Sequence, residues 1–346
     1  MKSTLRLGLY GCNLYRTRDL LAGARIAAGD CVEVVASYDI DPEKSRQTAH
    51  LYGGKAYESL SAFLADPAID VVLISLPPYL HADAYAAAAE AGKDVYLEKP
   101  ICVDAATRAR VLETAARYPA RCYVGLSYRF VAPFRKAAEI LRRPEAGAIL
   151  GVYHHWYAPL AREPEKPNWR HRLEQSGGQL VHHCCHLFDW FEWIGGPMQS
   201  VQALTYTPEG VPLPHEEREI NAAFRYRSGA PAVFSLSQSS HRYIQTGTIH
   251  AENLGIEYQW GEETFVKVYR DAPRKPDEVY DFSTPPADDP HHWDRDALQM
   301  KDFIDAWRTG GPMPISIRDG VRTYDIATAI RESGRTGARL PLDQKE

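Results

Sequence analysis

Ala91-Gly92-Lys93-Asp94-Val95-Tyr96-Leu97-Glu98-Lys99-Pro100 is the stretch on which the fold turns. The glycine ends an alanine-rich helix, Ala82–Ala91, because it accepts the left-handed conformation that a helix C-terminus needs. Four β-prone residues follow, Asp94–Leu97, and Glu-Lys-Pro stops them, since proline has no N–H to give a ladder. Lys99 therefore stands at the carboxyl end of a strand. In an open parallel sheet, that is where ligands bind. A lysine partly withdrawn from water there can have its pKa lowered toward neutrality and act as an acid or base. Taken alone, a surface Glu-Lys pair capping a strand is the commoner meaning, so the neighbouring segments decide.

Upstream, strand and helix patterns alternate: strand Leu5–Tyr10, helix Leu20–Ala28, strand Val32–Tyr38, helices Pro42–Leu51 and Leu60–Leu64, and strand Val71–Leu76. Downstream come helix Ala105–Ala116 and strand Cys122–Leu126. Strands recurring with helices between them predict a doubly wound, Rossmann-type parallel sheet. After helix Pro133–Leu141 the pattern changes to longer segments, several alternating apolar and polar residues: Leu150–Tyr157, Ser200–Thr207, Glu219–Tyr226, Ala232–Gln238, Thr246–Glu252, Gly255–Trp260 and Thr264–Tyr269. These predict an open, largely antiparallel sheet with one covered face. A helix over Gln179–Ile194 would cover it, Asp271–Asp289 reads as a loop, and helices near Trp293–Arg308 and Ile317–Ser333 close the chain. The predicted fold class is α/β, with a dinucleotide-binding domain over residues 1–125 and a substrate-binding and oligomerisation α/β domain over 126–346.

A chain of 346 residues is longer than one core usually supports. Its 45% hydrophobic and 25% charged residues are those of a globular protein. A net charge of −5 without a basic cluster argues against nucleic acid. No apolar leader or bilayer-length run is present, so a membrane is not an expected partner. Six cysteines without a disulfide-framework spacing point to a reducing, cytoplasmic location.

The first strand leads into Gly11-Cys12-Asn13-Leu14-Tyr15-Arg16, where a dinucleotide fold would show G-x-G-x-x-G. Only the first glycine is there. Asn13 replaces the second, and Arg16, which could contact a phosphate, replaces the third. Asp39 ends the second strand, 28 residues beyond Gly11. Its carboxylate suits ribose hydroxyls and would repel a 2′-phosphate, which favours NAD over NADP. Gly11, Asn13, Leu14, Asp39, Leu76, Pro77, His81 and Glu98 are the expected cofactor contacts.

In this order the motifs resemble the Gfo/Idh/MocA oxidoreductases: Gly11, Asp39, Leu76-Pro77 with His81, the Glu98-Lys99-Pro100 segment, Tyr128-Arg129-Phe130, Gly177-Gly178 with His186 and Asp189, and Ala329–Gly337. The resemblance covers nearly the whole chain. It implies a Rossmann domain followed by an α/β domain, NAD(P) chemistry on a carbinol or carbonyl of a sugar or cyclitol, and no metal. It makes Lys99 the residue that handles the hydroxyl proton, with a cis Lys99–Pro100 bond, and carries His186 over as its partner. A homodimer or homotetramer joined through the open sheet is likewise implied. His182 departs from the family, many members of which have Asp there.

On one continuous helix His182, His186 and Asp189 fall at i, i+4 and i+7, sharing a face. Two imidazoles and an ammonium around one alcohol would favour its alkoxide character. Asp189 is expected to orient a histidine or fix the helix. Paired histidines also suit zinc, but Cys184 and Cys185 point elsewhere and no carboxylate pair completes a site. Tyr128, Arg129, Trp156, Trp169 and Arg170 join Lys99, His182 and His186 as candidate substrate contacts, aromatic faces and polar groups suiting a polyhydroxylated ring. Arg129 and Arg170 could equally take a carboxylate. Two alternatives use the same parts: glycoside cleavage by transient oxidation on a retained NAD, and a non-catalytic nucleotide- or sugar-binding scaffold.

Overall fold

The structure, a computed structural model, describes residues 4–12, 14–159, 168–209, 217–271 and 274–342. The chain divides into two compact units: residues up to Ser127 with Glu174–Gly177 and Asp294–Tyr324, and Tyr128–Leu173 with Gly178–Trp293 and the chain from Asp325 onward. The expected single boundary near residue 125 thus meets a chain that returns to its first unit after Trp293.

The first unit opens with β1 (Leu5–Tyr10), α1 (Leu14–Ala28), β2 (Val32–Tyr38), α2 (Pro42–Tyr52), β3 (Lys55–Tyr57), α3 (Leu60–Leu64) and β4 (Val71–Ile74). It continues with α4 (His81–Glu90), β5 (Asp94–Leu97), α5 (Ala105–Arg117) and β6 (Cys122–Val124). All six strands are parallel, in the order β3-β2-β1-β4-β5-β6. Every residue of β4 is buried, as a strand covered on both faces requires. Local signals set the helix ends. Asp41 accepts from Glu43 N–H with Pro42 in the first turn of α2, and Asp104 with Thr107 forms a capping box on α5.

The second sheet is built from β7 (Ile149–Tyr157), which follows α6 (Ala132–Leu141), and from the strands after α7 (Leu173–Ser176), α8 (Gly178–His182) and α9 (Cys185–Gly195). Those are β8 (Met198–Tyr206), β9 (Glu219–Tyr226), β10 (Pro231–Ser237), β11 (Ile244–Ala251), β12 (Gly255–Trp260), β13 (Phe265–Tyr269) and β14 (Glu278–Asp281). After α10 (Arg295–Thr309) and α11 (Ile317–Thr336), β15 (Leu340–Pro341) completes the nine-stranded order β14-β13-β12-β11-β7-β10-β9-β8-β15. Pairing is antiparallel except between β7 and β10. One face alternates into a core where Phe188, Trp190 and Phe191 of α9 meet Phe224, Phe234 and Tyr258. The other face leaves Leu204 and Tyr206 exposed.

Three local expectations change. The Asp271–Asp289 segment contains β14, held at the edge by Arg143 and Arg270 on Glu278. Strand β3 is too short to show a period in the sequence. The helix expected over Gln179–Ile194 is two helices. Cys184 N–H bonds back to Gln179 O at 3.1 Å, a five-residue turn wider than an α-helical one. That extra residue shifts the phase of α9 against α8, so His182 and His186 do not stand one α-turn apart on a single stripe.

Candidate active site

In the first unit the loop after β1 is shaped by one glycine. Gly11 has φ +91°, and a Cβ there would lie 2.5 Å from the Ser75 carbonyl oxygen, so only glycine fits. Its N–H donates to Tyr38 O, which draws the loop onto the end of β2. Asp39 follows, and its carboxylate accepts from Cys12 N–H at 2.8 Å and from Asp41 N–H at 3.0 Å. The carboxylate is thus fixed at the strand tip with lone pairs to spare for hydroxyls. The Cys12 thiol is buried and pushed up to about 11, so it stays protonated. A turn that admits only glycine at position 11 and an acid held at the tip of β2 fit a dinucleotide's diphosphate and ribose. Leu14 opens α1, and Asn13 lies outside the described residues.

The opening stretch folds as its signals require: Gly92 (φ +73°) ends α4, β5 runs to Leu97, and Lys99–Pro100 is a cis peptide. The turn is tied twice. Fully buried His81 places Nδ1 2.7 Å from Pro100 O and Nε2 2.8 Å from Leu76 O, linking the segments after β4 and β5. Burial lowers the pKa of that imidazole, while the two carbonyls and Glu98 oppose the shift. Pro77 precedes the short turn Pro78–Leu80 that leads into α4. The second tie is Arg16. Its guanidinium reaches Glu98 Oε1 (Nη2 at 3.1 Å) and Asp296 Oδ1 (Nη1 at 2.8 Å). Gly125 makes room for the Glu98 carboxylate, since a Cβ there would lie 2.8 Å from Oε1. The arginine expected as a possible phosphate contact is committed to two carboxylates.

In the second unit His186 and His182 are nearly buried. The His186 ring stacks on Tyr128, centroids 4.9 Å apart and planes 11° from parallel. The Tyr128 hydroxyl accepts from Gln245 Nε2 at 2.8 Å. His182 has different neighbours, the edges of Trp169 at 5.2 Å and His183 at 4.4 Å. Arg170 lies over the Trp169 ring at 4.3 Å, on a turn that Asn168 caps through Arg170 N–H. Burial alone lowers the Arg170 pKa.

Two expected substrate contacts have other surroundings. Arg129 donates to Asp189 through Nε (2.8 Å to Oδ2) and Nη2 (2.5 Å to Oδ1), so its fork already holds a carboxylate. Asp189 accordingly anchors α9 through Arg129. Trp156 is buried between Leu236 and Gln245 in the sheet, and its indole N–H has no hydrogen-bond partner among the described residues. Sequence reading overlooked Gln245, Gly125 and Asp296. Each becomes visible only through a neighbour more than twenty residues away. Among the described residues, no three His, Cys, Asp or Glu side chains cluster as a metal site would need.

Residues 5–126 match the NAD-binding Rossmann fold of the Gfo/Idh/MocA oxidoreductases, and residues 141–342 match their C-terminal alpha/beta domain. The chain belongs to the Gfo/Idh/MocA oxidoreductase family. It has an NAD-binding domain and a mixed, mostly antiparallel second sheet, in line with the architecture read from its sequence. Myo-inositol 2-dehydrogenase of Thermotoga maritima is 24% identical over 98% of this chain and 99% of its own. Levoglucosan dehydrogenase in complex with NADH and levoglucosan shares the fold, with TM-score 0.85 and 21% identity over 99% of this chain and 100% of that one. The WlbA dehydrogenase from Bordetella pertussis, in complex with NADH and UDP-GlcNAcA, has TM-score 0.78 and 25% identity over 99% and 98%. Against several other curated relatives, the alignment spans about half of the relative's length. Among the described residues, no helix is long and apolar enough to cross a membrane.

Proposed function

We propose that this oxidoreductase is a dehydrogenase or reductase that prefers NAD to NADP and acts on one carbinol or carbonyl of a sugar, cyclitol or glycoside. The observation that carries the reading is the Lys99 turn, at the carboxyl end of β5 and tied by His81 and Arg16 to neighbouring segments. Asp39, with both oxygens on backbone N–H groups, supports the preference for NAD. The substrate class is supported by what the relatives act on or hold: myo-inositol, levoglucosan and a UDP-sugar acid.

In the oxidative direction Lys99 Nζ takes the hydroxyl proton and passes it to solvent, while His186 donates a hydrogen bond to the oxygen as negative charge develops. NAD, when bound, supplies the acceptor for the hydride that leaves the carbinol carbon. Leu76, Pro77 and Glu98 flank the cofactor. Tyr128, Trp169, Arg170 and His182 face the sugar, and Arg129 holds α9 through Asp189. The first unit then binds the dinucleotide, and the second binds substrate and joins copies as a homodimer or homotetramer. A reducing cytoplasm suits the six cysteines, which form no disulfide among the described residues.

The test is Lys99→Met, assayed by NADH absorbance with myo-inositol, levoglucosan and UDP-GlcNAcA and by calorimetry with NAD. The expected result is turnover by the parent protein on one of them, lost in the variant while NAD affinity stays near the parent value. Retained turnover would overturn the assignment.

A further inference from the structure

Arg16 occupies the place where the dinucleotide fingerprint has its third glycine, whose usual task is close packing of the first helix. In this chain that task falls to Gly23, about two turns further along α1. A Cβ on Gly23 would lie 2.6 Å from the carbonyl carbon of Asp296, so α1 and α10 touch backbone to backbone. This contact brings the Asp296 carboxylate, in the first turn of α10, to 2.8 Å from Arg16 Nη1. A helix N-terminus favours an acid there. The same guanidinium turns its Nε and Nη2 to Glu98 Oε1, at 3.2 and 3.1 Å. Glu98 is 6% exposed, and its backbone is pinned by Glu98 N–H on Ile74 O and by Gly125 N–H on Leu97 O.

We propose that Arg16 is a positioning residue for Lys99: by holding the Glu98 carboxylate, it fixes the Glu98-Lys99-Pro100 turn on the nucleotide loop and keeps Glu98 from pairing with the Lys99 ammonium. The proposal rests on the reading of Lys99 as the proton-handling group. The groups around Glu98 are Arg16 on α1, Asp296 and Arg295 on α10, Tyr96 on β5, His81 on α4 and Lys99 itself. Of the cations, Arg16 is the one within 3.2 Å of the Glu98 carboxylate in this set. Without it, a buried carboxylate would remain beside the lysine. An uncompensated opposite charge on the adjacent residue stabilises the ammonium and raises the pH at which Lys99 becomes a base.

The experiment needs no substrate. The full-length protein is reductively methylated with ¹³C-formaldehyde, and the dimethyl-lysine resonances are titrated by NMR, Lys99 being assigned by its absence in Lys99→Met. In Arg16→Met the Lys99 midpoint is expected to rise by about one pH unit, and in Arg16→Met/Glu98→Gln to return to the parent value. Arg16→Lys, which keeps the charge, is expected to stay near the parent. Calorimetry with NAD is expected to show weakened binding in Arg16→Met and recovery in Arg16→Lys. If Arg16→Met does not fold, Arg16→Gln, which removes the charge and keeps a donor for Glu98, decides in its place: a raised Lys99 midpoint is expected, and an unmoved one would overturn the proposal. An unmoved midpoint in folded Arg16→Met would also overturn it. Turnover retained in Lys99→Met would overturn the functional reading while leaving the titration result standing.

Discussion

Replacing Arg129 by methionine separates two roles that the sequence allows for this residue. The guanidinium and the Asp189 carboxylate are joined by two parallel bonds, with side-chain exposures of 10% and 2%. Arg129 also lies over the Trp193 ring at 5.6 Å. Removing the cation breaks this buried ion pair, which costs about 3–5 kcal/mol. For a unit of this size, each kcal/mol moves the melting temperature by about 2–4 °C, so the fall is on the order of 10 °C. Urea unfolding followed by tryptophan fluorescence measures the free energy directly. Removing both charges, in Arg129→Met/Asp189→Leu, takes the carboxylate away too and should regain most of the loss, since an apolar pair of similar volume can match a buried ion pair. If Arg129 instead served a substrate carboxylate, Arg129→Met would leave stability within about 1 kcal/mol of the parent and raise KM. A single-variant loss that small, or a double variant no more stable than the single one, would refute the structural reading.

Two further experiments test other parts of the structure. Gly11→Ala forces a side chain onto a φ of +91° and to 2.5 Å from Ser75 O, whereas Gly29→Ala meets a positive φ (+55°) with nothing within 4 Å. Both carry about 1–2 kcal/mol of backbone strain, but only Gly11→Ala should weaken NAD binding by calorimetry, and equal affinities would refute the cradle. His154 lies buried with Nδ1 2.9 Å from the Tyr258 hydroxyl, and burial pushes its pKa down to about 3. Its folded pKa is below the unfolded one, so the unfolded chain binds the extra proton between about pH 3 and 6.5, and stability is lost as pH falls through that window. The stability difference between the parent and His154→Gln should shrink by about 1.4 kcal/mol per pH unit from pH 6 to 4; parallel curves would refute the neutral buried ring.

What the sequence revealed and what it hid follow from the range over which each signal acts. Period, caps and breakers operate within a turn or two, which is why Gly92, the Asp94–Leu97 strand and the proline after Lys99 could be read directly. The same locality explains the errors. The helix over Gln179–Ile194 had unbroken helical composition, and nothing within it announced that Cys184 N–H would reach back to Gln179 O and shift the phase of His186. Arg129 and Arg170 looked alike as basic residues near aromatic ones. Only the fold brought Asp189 to the first and an open turn to the second. Arg16 is the sharpest case, because its partners lie 82 and 280 residues away. A missing glycine reads as damage to a fingerprint until α10 returns to the first unit. There the close packing reappears at Gly23, and the vacated position carries a charge whose effect reaches the lysine at the end of β5.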